Sequence, residues 1–316
     1  MVIWILEIRI CFGFILRSPT LRAGSQFRYS DFEFAADLPC WELGVSVVQL
    51  AFSHLFGDTM IDAHCHLYSD KYDHDLDAVI QRARKYLEGV VVSAVDPESL
   101  RKSLIIRRQY SDFIHVTAGV HPRTAATLKK EKVAQLWQTI KNIKKEIVAV
   151  GEVGPDFHHT RDPRLRQRQL VVLEEAMTQA ENLRLPLDIH ARQAEAAALE
   201  VVAGCKTPVL FHCFAGPRQV ARQITSFGFY LSFSAILLFS SELQKVATEV
   251  PLERILTETD SPALSPRRDR SRNEPAFLEI IVSRLAALRE YTQEEMATIT
   301  AANARRFYGL DSRPSS

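Results

Sequence analysis

Met60-Ile61-Asp62-Ala63-His64-Cys65-His66 is a short apolar run that ends in two histidines one residue apart. Alternate residues of a strand point the same way, so an H-x-H at a strand end aims two imidazoles at one point. Imidazole is the usual side chain for Zn, Fe or Ni, and two converging rings make half a metal site. The plainer alternative is a pair of partly buried histidines at a strand edge. What separates the two readings is the rest of the chain, where single histidines and carboxylates close several later strand-like runs.

Outward from that run, short β-branched stretches alternate with longer helical ones. Strands are predicted at 60–64, 89–95, 113–120, 147–152, 187–190, 209–212, 229–233 and 255–258. Helix-like spacing fills 75–86, 98–110, 130–145, 165–182, 193–202, 218–227, 241–249 and 275–291, with Leu170, Leu173, Glu174, Met177 and Ala180 as an example. A last helix over 292–308 opens with Thr292 and Glu295 at capping-box spacing. Eight strand–helix repeats predict an α/β protein, a (β/α)8 TIM barrel, in preference to a doubly wound open sheet.

The chain has 316 residues, 47% hydrophobic and 24% charged, as expected of a globular protein. Starting at Met60 leaves room for one barrel, which takes about 250 residues. A net charge of +1 excludes a global attraction to polyanions, so any nucleic-acid contact needs a local basic patch. The five cysteines, Cys11, Cys40, Cys65, Cys205 and Cys213, are odd in number and lack C-x-x-C spacing, which suits reduced intracellular thiols. That points to the cytoplasm or nucleus.

Residues 1–59 are expected to be a non-core extension, disordered or the product of an alternative start or gene-model artefact; 60–310 form the barrel and 311–316 a frayed tail. The opening apolar run is interrupted by Glu7 and Arg9 and has no basic segment before it, which argues against a membrane span. Arg17, Arg22 and Arg28 hint at a mitochondrial address, the weaker option.

In a barrel of this kind the strand C-termini share one face and carry the chemistry. His64 and His66 end the first strand, Glu152 the fourth, His190 the fifth and His212 the sixth, and Asp260 follows the eighth. Singly, each is explained by a strand-end ion pair or a satisfied core histidine. Jointly, four of the ten histidines and two carboxylates meet at one mouth, enough for two divalent cations bridged by a shared carboxylate.

Six motifs carry a resemblance: Met60-Ile-Asp-Ala-His-Cys-His-Leu67, Gly119-Val-His-Pro122, Gly151-Glu-Val-Gly-Pro-Asp156, Ile189-His-Ala-Arg192, Phe211-His-Cys-Phe214 and Glu258-Thr-Asp-Ser-Pro262. In order, they resemble the TatD family of metal-dependent deoxyribonucleases, within the amidohydrolase superfamily; Arg272-Asn-Glu-Pro275 is similar to a later segment of many members. The resemblance covers 60–310 and leaves 1–59 without a counterpart. It implies that His64, His66 and Asp260 bind one metal, that His190 and His212 hold a second, and that Glu152 bridges. The metals implied are Zn, Mn, Mg or Fe. Pro155 and Ala191 depart from the usual pattern, and Pro155 is expected to stiffen the loop and shift Asp156.

The expected reaction is hydrolysis of a phosphodiester, DNA above all, by a 3'-exonuclease or abasic-site endonuclease using metal-activated water. Asp260 and Glu152 are the catalytic carboxylates, Asp260 orienting the water and accepting its proton or serving as a ligand only. His121, Arg123 and Arg192 sit just past the third and fifth strands, where they are expected to bind phosphate. The run Arg267-Arg268-Asp269-Arg270-Ser271-Arg272 suits backbone tracking. A monomer with no membrane partner is expected. The competing readings are an amidohydrolase-type enzyme acting on a small amide, lactone or phosphodiester, and a non-catalytic binding protein. Many two-metal enzymes of that superfamily bridge through a modified lysine; Glu152 in that place favours the nuclease.

Overall fold

The computed structural model describes residues 60–267 and 271–311, together with three short strands, Glu7–Arg9, Ile15–Arg17 and Glu33–Phe34. Those three form an antiparallel sheet. By its internal contacts the chain divides into Met1–Gly57 and Asp58–Ser316. The remaining expectations for 1–59 and for the tail beyond Asp311 lie outside the described residues.

The second unit contains eight strands: β1 (Met60–Cys65), β2 (Leu87–Ala94), β3 (Ile114–Ala118), β4 (Ala149–Val153), β5 (Leu187–Ile189), β6 (Val209–Phe211), β7 (Tyr230–Phe233) and β8 (Ile255–Thr257). Each pairs in parallel with the next in sequence. A doubly wound sheet would reverse direction part-way, and no reversal occurs. Two backbone hydrogen bonds bring the last stave to the first. Asp260 N–H donates to the His64 carbonyl at 3.0 Å, and His66 N–H to the Ser261 carbonyl at 2.7 Å. The buried Asp62 carboxylate adds to the seam by accepting from Thr259 N–H (2.9 Å) and Thr259 Oγ1–H (2.5 Å). The result is a nearly closed barrel.

Around it run α1 (Leu76–Ala83), α2 (Pro97–Gln109), α3 (Pro122–Thr127), α4 (Lys130–Asn142), α5 (Pro163–Leu183), α6 (Glu195–Val202), α7 (Arg218–Ser226), α8 (Ser241–Glu249), α9 (Leu278–Arg289) and α10 (Gln293–Tyr308). Local chemistry sets their starts. Pro97 and Pro163 occupy the first helical turn, where a missing N–H costs nothing, behind Asp96 and Asp162, whose carboxylates accept from Ser99 N–H and Arg164 N–H. The capping box expected at Thr292 and Glu295 is present, with both reciprocal bonds made. The Tyr308 hydroxyl then donates to the Ala63 carbonyl at 2.8 Å, fastening the last helix to β1.

Two boundaries differ from expectation in ways that matter for the site. His64 lies inside β1 and is fully buried, with His66 just beyond the strand. β3 ends at Ala118 instead of 120, and Pro122 opens the short helix α3, with His121 as its cap. Six residues are too few to show a helical period, so nothing in the spacing marks this turn.

The loop after β8 is held by its own side chains. Asn273 Nδ2 donates to the carbonyls of Thr259 (2.9 Å) and Ala263 (2.7 Å), and Arg272 makes two 2.7 Å bonds to the Asp75 carboxylate. Arg267 lies over the Phe277 ring at 4.2 Å. The basic run expected to track DNA therefore has both described ends engaged by the protein itself, and 268–270 lie outside the described residues. No helix among the described residues is long and apolar enough to cross a membrane.

Candidate metal centre

Glu152 is the hub. Its carboxylate, almost wholly buried, meets imidazoles from four loops or strands: His190 Nδ1 at 2.8 Å and His212 Nε2 at 3.1 Å from Oε1, and His64 Nε2 at 3.4 Å from Oε2. His66 Nε2 stands 3.8 Å away and His121 Nε2 3.6 Å. Asp260 Oδ1 sits 3.2 Å from His66 Nε2 on the solvent side. The six residues expected to converge from β1, β4, β5, β6 and the turn after β8 are brought together. With His121 as a seventh residue, their donor atoms form three overlapping groups, His64/His66/Asp260, His64/Glu152/His212 and His121/Glu152/His190, each within 4.8 Å.

Glycines make the approach possible on both flanks of Glu152. A Cβ on Gly119 would sit 2.5 Å from the Glu152 carbonyl oxygen, and one on Gly154, at φ 141°, would sit 2.1 Å from the His190 carbonyl oxygen.

Each ring is oriented from behind. His64 Nδ1 lies 3.1 Å from Asp188 Oδ2 and from Ser93 Oγ; His66 Nδ1 is 3.0 Å from the Ser93 carbonyl and 3.1 Å from the Tyr68 hydroxyl; His212 Nδ1 is 3.4 Å from Glu258 Oε1. Holding the outer nitrogen this way turns the other lone pair inward, as metal-binding histidines require. Asp188 and Glu258 were not singled out from the sequence, yet a signal exists. Each lies two residues before a site residue, His190 or Asp260, the spacing at which strand-like residues share a face.

The electrostatics are those of a carboxylate ringed by bases. Burial alone would raise Glu152, but His121 and His212 and the bonds from His190 and His212 hold it well below the usual carboxylate range. Burial and His212 oppose protonation of His64, yet the Asp188 and Glu152 carboxylates push it up to about 10. His212 is also raised, against its burial, by Glu152 and Glu258. Burial pushes His121 down to about 4, leaving a neutral ring. His121 faces Glu152, and its Nδ1 accepts from Arg123 N–H at 3.1 Å to cap α3. Arg123, in the first turn of α3, and Arg192, just after β5, are exposed.

Behind Pro155, Asp156 is held at both its backbone and its side chain. The Asp156 N–H donates to Gln169 Oε1 at 3.1 Å, and its carboxylate stands 3.4 Å from His190 Nε2. Bonds from His190 and His159 outweigh burial and keep Asp156 below its ordinary range.

A divalent cation fits these residues. His64 Nε2 and Glu152 Oε2 are buried and make no hydrogen bond to any described atom, the mark of donors aimed at something positive. Nitrogen and carboxylate donors without thiolate suit Zn, Mn or Fe.

Residues 61–309 match the TatD related DNase family. The chain belongs to this family. An uncharacterised metal-dependent hydrolase of Bacillus subtilis, YabD, is 33% identical to the TatD-type chain over 264 residues, covering 80% of it and all of the relative. A 3'-5' ssDNA/RNA exonuclease TatD of Erwinia tasmaniensis is 32% identical, covering 79% of this chain and all of the relative. The solved structure of YJJV, a TatD homologue from Escherichia coli K12, has a TM-score of 0.74 at 24% identity and covers 80% of this chain and 98% of that one; the likeness is one of fold. Family membership makes the chain a metal-dependent hydrolase of the nuclease kind.

Proposed function

We propose that this TatD-type chain, acting as a monomer, hydrolyses DNA phosphodiesters at a two-metal centre, trimming single strands from the 3' end. The observation that carries the reading is the crowding of five imidazoles around the one buried carboxylate of Glu152. The exonuclease assignment draws on the Erwinia relative, and cleavage at abasic sites is the narrower alternative. His64, His66 and Asp260 would hold one cation, His190 and His212 the second, and Glu152 both. Cations bound there would polarise a phosphoryl oxygen and make water a stronger nucleophile near neutral pH.

The protein's part is to place and deprotonate. Asp260 faces the mouth with its side chain 19% exposed, whereas Glu152 is sealed at 3%. His66 keeps the Asp260 carboxylate below its usual range against its burial, so it stays ionised and can orient a water and receive its proton. Arg123, in the first turn of α3, and Arg192, just after β5, would hold the flanking phosphates.

Two measurements follow. His64 is pushed up to about 10 and His212 well above its ordinary value in the cation-free protein, so at neutral pH they carry protons that a cation must displace. Zinc added to metal-free protein in weak buffer is expected to release protons, and affinity to fall as the pH is lowered; binding without release would contradict the ligand set. Replacing Arg123 and Arg192 together by alanine should weaken single-strand binding about tenfold and flatten its salt dependence by about one unit of log–log slope. An unchanged slope would remove both from the phosphate path.

The direct test is degradation of labelled single-stranded, duplex and abasic-site DNA by the purified full chain with Zn, Mn and Mg in turn. Successive shortening of single strands from the 3' end is expected. Inertness towards all three DNAs with every metal would end the proposal.

A further inference from the structure

The loop between β4 and α5 carries a second imidazole and carboxylate that the metal centre does not use up. Asp156 is 3% exposed, and its Oδ2 is shared: His190 Nε2 lies 3.4 Å away on the inner side, His159 Nδ1 2.7 Å away on the outer side. The two rings therefore face one carboxylate oxygen from opposite sides. His159 is 57% exposed, so its other nitrogen is accessible.

This loop is built, not draped. Asp156 Oδ1 accepts from His159 N–H at 2.9 Å, and the His158 ring meets His159 edge-on with centroids 4.7 Å apart. Arg166 donates to the carbonyls of Thr160 (2.6 Å) and Phe157 (3.0 Å) while its guanidinium covers the Phe157 ring at 4.6 Å. Gln169 Nε2 binds Thr160 Oγ1 at 2.9 Å and the Pro122 carbonyl at 3.1 Å, locking the loop to α3. An exposed imidazole, backed by a buried carboxylate and held at the rim of a hydrolytic centre, is the arrangement of an acid–base catalyst.

We propose that His159 is the general acid of the hydrolysis, donating the Nε2 proton to the departing oxygen. The proposal rests on the phosphodiester reading above. The water oxygen forms the new bond to phosphorus and its proton passes to Asp260. The bond from phosphorus to the leaving oxygen breaks with its electron pair on oxygen, which takes the proton from protonated His159. Asp156 accepts from Nδ1–H throughout and keeps the ring aimed; solvent returns the proton to the exposed nitrogen. A sugar alkoxide is a poor leaving group, so this is the step at which DNA hydrolysis gains most from a proton donor.

The test compares leaving groups. Aryl esters of thymidine 5'-phosphate, from p-nitrophenyl to methoxyphenyl, are hydrolysed by the wild-type enzyme and by His159→Gln, with metal content measured for both. The variant is expected to lose about a hundredfold on the least acidic phenol, and to stay within about twofold on the p-nitrophenyl ester, whose anion needs no proton. Metal content should be unchanged. Equal loss along the series, no loss at all, or loss of metal would overturn the assignment, the last making His159 a prop for His190. Wild-type enzyme that cleaves the esters but no oligonucleotide would overturn the DNA reading while leaving this result decisive. Hydrolysis of neither would overturn both.

Discussion

Glu152→Gln is expected to abolish cation binding and to lower turnover by about a thousandfold, equivalent to roughly 4 kcal/mol of lost transition-state stabilisation. The substitution keeps shape and volume and removes only the charge. Glu152 Oε1 now takes His190 and His212 at 2.8 and 3.1 Å, and Oε2 faces His64 at 3.4 Å. A neutral amide cannot balance three imidazoles that are already raised in the metal-free protein, and its NH2 end has no lone pair to offer a cation. Metal stoichiometry by elemental analysis and initial rates on single-stranded DNA read the two effects separately. Turnover within tenfold of wild type would mean that the hub of the cluster lies elsewhere.

His66→Ala and Asp260→Asn should part company. His66 Nε2 lies between Asp260 Oδ1 at 3.2 Å and Glu152 Oε2 at 3.8 Å, so truncation removes a donor from the middle of the set. Metal and activity are expected to disappear together. Asp260 sits at φ 52°, a conformation that asparagine tolerates well, and its N–H remains bonded to the His64 carbonyl, so Asp260→Asn should fold normally. The amide can still lend its oxygen as a donor but cannot take a proton. Occupancy is expected to fall less than about tenfold while turnover falls at least about a hundredfold. Parallel losses would restrict Asp260 to holding the cation.

Both expectations trace back to parity. Asp62 and His64 share one face of β1, Asp188 lies on β5 two residues before His190, and Glu258 and Asp260 fall two apart after β8, so inner side chains and supporting carboxylates recur at a spacing of two. The donors were legible because histidines and carboxylates closing apolar runs are conspicuous. Their supports were overlooked because a carboxylate inside a strand reads as an interruption until its partner is known. Asp188 is explained only by the Nδ1 of a histidine 124 residues earlier.

His121 marks the limit of local reading. From the sequence it stands beside Arg123 and Arg192 as a candidate phosphate binder just past a strand. In the fold, Pro122 starts a helix that His121 caps, which turns the ring towards Glu152, and burial there leaves it neutral. The arginines of 267–272 show the converse. A run of like charge reads as a free surface, yet Arg272 is held by Asp75, which belongs to a segment nearly two hundred residues away.

By itself the sequence determined the alternation of strands and helices, the parallel barrel that follows from it, and the six histidine and carboxylate side chains that gather at its mouth. Those depend on periodicity and on residue type at strand ends, which are properties of short stretches of chain. The tertiary structure alone decided which donors share an oxygen, which histidine is neutral, which arginines are already engaged, and that His190 and His159 hang on one carboxylate. Those depend on distances between segments far apart in sequence, and on the burial that sets how strongly each charge is felt.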